Sequence, residues 1–280
     1  MKIVAWLASA SIVLVIGVAI VVVMKEPLAA DRDSPQVIRI GAMSVERAAH
    51  QATLLKTGWV LVTGGCAGRG CNPVHASAEL YDPVTRSFQA AAAMATPRAS
   101  HAAVMLPDGR VLVSGGWTGR NATASAEIYD PATDRLTSAD DMSVPRMSPM
   151  AAPLSGGRVL ILGGEVTTGA PLASAEVFDP ATSTFAAVGP MQTPRSSHVA
   201  VQLADGRVLV TGGHQAQGEV LRTAEIFDPT TGEFEPTGDM AVSRHKHAAA
   251  LLAGGKVLII GGSDARDYRG RYASTEIFTP

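Results

Sequence analysis

Net charge is nearly absent from this sequence. Its 280 residues hold 23 Lys and Arg against 25 Asp and Glu, a formal charge of −2, so nothing in it predicts a nucleic-acid partner. Cysteine is scarce: Cys66 and Cys71 are the only two, so any disulfide, thiol or thiolate-metal chemistry is confined to one short stretch. No nucleophile triad, Walker loop or dinucleotide fingerprint appears, and no cofactor is implied. With 46% apolar residues the chain still has the means to bury a large core.

What is present is a repeat. Diglycines stand at Gly64-Gly65, Gly115-Gly116, Gly163-Gly164, Gly212-Gly213 and Gly261-Gly262, spaced by 51, 48, 49 and 49 residues. Each closes an apolar run such as Val111-Leu112-Val113. His50, His101, Pro149, His198 and His247 stand 14 residues before the first glycine of each pair. Five residues later comes Leu55, Leu106, Leu154, Leu203 or Leu252, then a turn such as Asp108-Gly109 or Asp205-Gly206. These turns predict a two-residue hairpin of type I′ joining strands a and b of each unit. Strand c carries the pairs Glu79/Tyr81, Glu127/Tyr129, Glu176/Phe178, Glu225/Phe227 and Glu276/Phe278, and an Asp-Pro turn follows the first four. Strand d holds Phe88, Leu136, Phe185 or Phe234. No helix opens after a diglycine, so these glycines do not predict a phosphate site.

A period near fifty with a diglycine after an apolar run resembles the kelch repeat, in which each repeat is one four-stranded propeller blade. The resemblance runs from about Gln36 to Pro280, and bacterial exported kelch-repeat proteins of unassigned role carry similar Asp-Gly-Arg-Val-Leu-Val-x-Gly-Gly runs. It implies an all-β, kelch-type β-propeller of five four-stranded blades. Many kelch repeats place Trp on strand d, so the anchor here is smaller. Most kelch propellers have six or seven blades, and an open arc or a truncated larger propeller is the alternative to a five-bladed ring.

The two ends of the chain complement each other. The last repeat stops after strand c, and Val37, Met43, Arg47 and His50 repeat the spacings of Phe234, Met240, Arg244 and His247. A strand over residues 36–40 is therefore expected beside Ile277, completing the last blade and leaving no open edge. Ala52, Ala103, Ala151, Ala200 and Ala249, two residues after the His position, are expected where the innermost strands crowd the axis.

Three segments follow: residues 1–24, a linker at 25–35, and the propeller at 36–280. Ile3 to Met24 is an uncharged run of 22 residues, long enough to span a bilayer as one helix. Lys2 precedes it, which predicts a cytoplasmic N-terminus, a single-pass anchor, and a propeller on the extracytoplasmic side. Secretion after cleavage of a signal peptide is the alternative, although the run is long for one and Leu28-Ala29-Ala30 is a poor cleavage site. In an oxidising compartment Cys66 and Cys71 are expected to pair. Free thiols, or a metal with His75 as third ligand, are the competing readings.

Repetition separates scaffold from site. Arg47, Arg98, Arg146, Arg195 and Arg244 recur with the strand c glutamates and are expected to pair with them. The recurring His positions are expected to cap strand ends by hydrogen bonding rather than to form a metal ring. Only the stretch between diglycine and glutamate varies in length, so function is expected on these b–c loops and on the d–a loops that share their face. The candidate ligand-binding residues there are Arg69, His75, Trp117, Arg120, Glu165, His214, Asp264, Arg266, Tyr268 and Arg269; no catalytic or metal-binding residue is assigned. Arginine and aromatic side chains are common interface anchors. The expectation is a binding module for a protein or a glycan.

Copper radical oxidases of the galactose oxidase type share the fold, but their Cys–Tyr cross-link has no counterpart here and Asp boxes are absent. A sugar epimerase is known on a kelch propeller, so a small sugar-active enzyme on the same face is the alternative. A channel-mouth pocket lined by Arg, Glu and His would favour the enzyme, and a broad flat surface the binder.

Overall fold

The computed structural model describes residues 13–16, 19–22, 41–266 and 270–280, the first two stretches by backbone alone. Four complete blades succeed one another around an axis, each a meander of antiparallel strands whose order in the sheet is their order in sequence. Blade 1 has β3 (Gln51–Leu54), β4 (Val60–Thr63), β5 (Ala78–Asp82) and β6 (Ser87–Ala91). Blade 2 has β7 (Ala102–Met105), β8 (Val111–Ser114), β9 (Ala126–Asp130) and β10 (Arg135–Ser138). Blade 3 has β11 (Met150–Pro153), β12 (Val159–Leu162), β13 (Ala175–Asp179) and β14 (Thr184–Val188). Blade 4 has β15 (Val199–Gln202), β16 (Val208–Thr211), β17 (Ala224–Asp228) and β18 (Glu233–Pro236). Blade 5 has β19 (Ala248–Leu251), β20 (Val257–Ile260) and β21 (Thr275–Phe278). The fold is thus the all-β five-bladed propeller that the repeat predicts.

The second strand of each blade opens on three consecutive apolar residues because both its faces are covered by neighbouring blades. Val111, Leu112 and Val113 are all buried, as are Val159 through Leu162. Outer strands alternate, with one large side chain turned inward. Phe88, Phe185 and Phe234 lie directly across from Tyr81, Phe178 and Phe227, ring centroids 4.9–5.0 Å apart.

The hairpins inside blades 1, 2, 4 and 5 differ from the expected type I′, whereas in blade 3 Gly156 and Gly157 are both at positive φ. Leu106 N–H bonds Arg110 O and Gly109 N–H bonds Leu106 O, which makes a three-residue loop with Gly109 alone at positive φ (94°). Blades 1, 4 and 5 repeat this with Gly58, Gly206 and Gly255. A type I′ turn needs two consecutive residues at positive φ, and the residue before these glycines is Thr, Asp, Asp or Gly, none of which takes it.

The guanidinium of each recurring arginine is buried and clamps its own blade, and Arg98, Arg146, Arg195 and Arg244 also hold the blade before. Arg98 Nη1 donates to Gly115 O and Ser125 O, and Nη2 reaches Glu127 Oε1 at 2.8 Å. Arg47–Glu79, Arg146–Glu176, Arg195–Glu225 and Arg244–Glu276 repeat the pair at 2.5–3.0 Å. Backbone carbonyls of the same residues lock the seams: Gly65, Gly116, Gly164 and Gly213 donate N–H to Arg98, Arg146, Arg195 and Arg244 at 2.8, 2.8, 3.1 and 2.9 Å.

The seam between blades 5 and 1 is built differently. Among the described residues Gly262 has no such bond to Arg47, and the Glu276 side chain is 21% exposed where the other four glutamates are at most 5%. A hairpin of β1 (Val13–Ile16) and β2 (Ala19–Val22) stands there, with Val15 opposite Ala249 on β19 and β2 beside β3. On the outer side β21 has no neighbour among the described residues, and Ile277 is 51% exposed. The strand expected at 36–40 lies outside the described residues, as does most of the expected membrane span Ile3–Met24. The two described stretches of that span are extended, and no helix of the described residues is long and apolar enough to cross a membrane.

Candidate functional site at the channel mouth

One residue per blade takes a left-handed backbone just before the innermost strand: Ala49, Ser100, Ser148, Ser197 and Lys246, with φ of 50–54°. This turns each chain from the rim down into the channel. Ser100 N–H bonds Ala49 O at 2.8 Å, Ser148 N–H bonds Ser100 O at 2.8 Å, and Lys246 N–H bonds Ser197 O at 3.0 Å. The result is a backbone collar at the channel mouth. A non-glycine residue at positive φ is strained, and the collar bonds hold it there.

The His positions come next, and they reach across seams. His101 Nε2 lies 2.9 Å from Thr63 Oγ1 of blade 1, and His247 Nε2 lies 2.8 Å from Thr211 Oγ1 of blade 4. They therefore pin neighbouring blades rather than cap a strand of their own. Burial, reinforced by the nearby Arg98 and Arg244 guanidiniums, depresses the pKa of each to about 3. Burial and Arg195 likewise hold His198 well below the usual imidazole range. These rings are neutral at physiological pH.

Inside the collar lies a cavity of about 630 Å³, contributed by all five blades. Ser100, Ser148 and Ser197 surround its mouth, His101, His198 and His247 its wall, and Met150, Val199, Ala248 and Ile260 an apolar part of its lining. Gln51 also lines it and donates from Nε2 to His101 O. Lys246 is the one charged lining residue, with no carboxylate and no guanidinium. The collar serines and Gln51 were not singled out from sequence. Their signal was variation (Ala, Ser, Ser, Ser, Lys) immediately before a nearly constant His.

Around the cavity stand the variable loops. The residue after each diglycine is Cys66, Trp117, Glu165, His214 or Ser263, and each is bridged on both sides, to the incoming d–a loop and to its own b–c loop. Trp117 N–H, for example, bonds Ala99 O at 2.7 Å and Ala99 N–H bonds Trp117 O at 2.9 Å. Five unlike side chains thus occupy one fixed backbone position.

Cys66 and Cys71 are joined by a disulfide in the first loop, where Arg69 is exposed and His75 is half-buried with Nε2 3.2 Å from Glu46 O. Trp117 is half-buried and Arg120 exposed in the second loop, which is tied to the third where Ala122 N–H donates to Thr167 Oγ1 at 2.9 Å. The structure brings Glu165 and His214 together: burial raises the Glu165 pKa, and the His214 charge opposes it. The His214 ring meets His245 edge-on at 5.6 Å. Asp264 is paired with Arg266, Nε to Oδ2 at 2.9 Å. Tyr268 and Arg269 lie outside the described residues. Among the described residues no group of three or more His, Cys, Asp and Glu could hold a metal ion.

The Kelch motif matches residues 98–143, 146–192 and 195–241, half of the chain. No curated protein sequence matches it. Among solved structures the fold is similar to that of YjhT, with a TM-score of 0.69 over 84% of this chain and 82% of that one. The identity is 15%, so this likeness concerns the fold alone. With blades, diglycine turns and repeat period all in agreement, the chain belongs to the kelch-repeat β-propeller family.

Proposed function

We propose that this propeller is a binding module that takes a protein partner on the face formed by its b–c and d–a loops. The carrying observation is the position after each diglycine: Cys66, Trp117, Glu165, His214 and Ser263 sit on backbone bridged in the same way, while the Arg–Glu clamp beneath is constant. Chemical variety on an invariant platform is what recognition needs, and Trp117, Arg69 and Arg120 supply the anchor types that dominate interfaces. An enzyme on this face finds less support. The lining of the central cavity offers no carboxylate, and a histidine with a pKa near 3 is a weak general base at neutral pH.

In this reading residues 36–40 supply the missing outer strand of blade 5. A β-carbon on Gly41 would lie 3.0 Å from Arg86 O, as one on Gly189 would lie 2.9 Å from Gly232 O, and Ser44 N–H meets Glu79 Oε2 at 2.8 Å as Ser143 N–H meets Glu176 Oε2. Residues 41–44 therefore lie as the segment that leaves the fourth strand does in blade 3. Residues 3–24 tether the propeller to a membrane, which requires the β1–β2 hairpin to open into a helix. Deleting residues 36–40 is expected to lower the melting temperature of the whole ring; an unchanged one contradicts the closure. Full-length protein is expected in the membrane fraction and resistant to alkaline extraction, and release by alkali contradicts the tether.

Photo-crosslinking tests the interface. A photoreactive residue in place of Arg120 is expected to give a discrete protein adduct in the native host. The same residue at Thr85, in a c–d turn on the opposite face, is expected to give none. Adducts from Thr85 alone would place binding elsewhere.

A further inference from the structure

Among the described residues every acid withdrawn from solvent has a partner, with one exception. The strand c glutamates hold the clamp arginines, Asp82, Asp130, Asp179 and Asp228 accept backbone amides of their own turns, and Asp264 holds Arg266. Glu165 is half-buried and has neither a hydrogen bond nor an ion pair there; burial raises its pKa, and the one charge that bears on it is that of His214. Withdrawing a carboxylate from water without a partner is costly. Nothing in the fold offsets that cost, because the bridges from Glu165 to Met147 and Pro171 are backbone bridges that any side chain allows. Trp117, half-buried, holds the same bridged position in blade 2, and the two loops are tied where Ala122 N–H donates to Thr167 Oγ1 at 2.9 Å. Among the described residues no cation covers the Trp117 ring, the cation–π contact there being Arg244 over Tyr272 at 5.4 Å.

We propose that the rim holds its partner protein through a single arginine or lysine side chain of that partner, received by the Glu165 carboxylate beside Trp117. This rests on the reading of the face as the protein interface and names the group it recognises. A carboxylate partly stripped of water attracts a cation more strongly than an exposed one, because the surrounding dielectric is lower and part of its hydration is already lost. Tryptophan is the aromatic side chain that best receives a cation on its face. On the other side His214 holds the bridged position in blade 4, so the acidic place is one residue wide. Arg69 and Arg120 are exposed on the same face, and neither bears on Glu165. Their charges repel a basic run, which restricts the partner to one cation with neutral or acidic neighbours.

Selection of a random heptapeptide library, displayed on phage, against the full chain in detergent micelles tests it. The recovered peptides are expected to share arginine or lysine at one position. Glu165→Gln keeps the shape of the side chain and removes an unpartnered charge, so its melting temperature should equal or exceed that of the parent. The best peptide should bind this variant about tenfold less tightly. Replacing the peptide's basic residue with glutamine should weaken binding to the parent by a similar factor and weaken binding to Glu165→Gln little further, since both changes break one contact. Recovered peptides with no shared basic residue, no recovered peptide at all, losses that simply add, or a clearly lower melting temperature in Glu165→Gln overturns the proposal. Where the cross-links from position 120 persist, the interface stands and only this contact is lost; where they too are absent, both readings fail.

Discussion

The carbonyl oxygen of Arg146 accepts a hydrogen bond from the amide of Gly116 in the preceding blade, 2.8 Å away. The guanidinium of the same residue holds its own blade through Gly163 O and Glu176, both at 3.0 Å. One residue therefore couples two sheets, and its loss should be felt beyond one blade.

Arg146→Ala leaves Glu176 buried without its cation. The expected loss is about 3–5 kcal/mol, the usual cost of breaking a buried pair from one side. Glu176→Gln in the same background should recover part of it. Chemical denaturation of the three proteins measures both, and a loss below about 1 kcal/mol in Arg146→Ala contradicts the coupling role.

Two glycines at similar φ should respond very differently. Gly163 (φ 59°) would place a β-carbon 2.5 Å from His198 Cε1 and 2.7 Å from Arg195 O, inside a packed seam. Gly156 (φ 82°) has nothing within 4 Å. Gly156→Ala should cost only the strain of a left-handed residue, about 1–2 kcal/mol, whereas Gly163→Ala should prevent stable folding. Equal melting temperatures would show that the seam yields.

Hydroxyls at one register position also diverge. Thr63→Ala strips His101 of its partner and should cost about 1–3 kcal/mol. Ser114 Oγ is buried with no partner, because Pro149 stands where the imidazole would be, so Ser114→Ala should be neutral or stabilising. A larger loss from Ser114→Ala than from Thr63→Ala would invert the argument.

Much of this was legible beforehand because it repeats at fixed spacing. The strands, the blade count and the Arg–Glu pairing follow from recurrence, since Arg98 and Glu127 belong to one blade and stand 29 residues apart in every reading of the register. The His–Thr pins were missed. Thr63 and His101 are 38 residues apart and sit in different repeats, so their contact appears only once adjacent blades are packed. The turns of blades 1, 2, 4 and 5 were misjudged because a glycine signals positive φ without saying whether its neighbour shares it.

Acid should destabilise the fold well before carboxylates titrate. His101 and His247 bind protons near pH 3 when folded but near 6.5 when unfolded. Their contribution is complete above about pH 6.5 and is lost as pH falls toward 3, by up to about 1.4 kcal/mol per pH unit for each ring. Urea midpoints measured at pH 7.5, 6 and 5 should fall steadily, and less so in His101→Gln. A flat profile from pH 7.5 to 5 would mean that these rings are not shielded.

The left-handed collar sets the gauge of the channel. Its bonds run from backbone to backbone, between Ser100 and Ala49, Ser148 and Ser100, and Lys246 and Ser197. No side chain takes part in them, so the aperture keeps its width whatever residue occupies those places. Three of the five links between these positions are bonded in this way, so the side chains there are fittings on a backbone that does not depend on them. Exchanging a serine for a bulkier or charged residue would narrow or polarise the entrance without shifting a blade, so the lining can be retuned one fitting at a time.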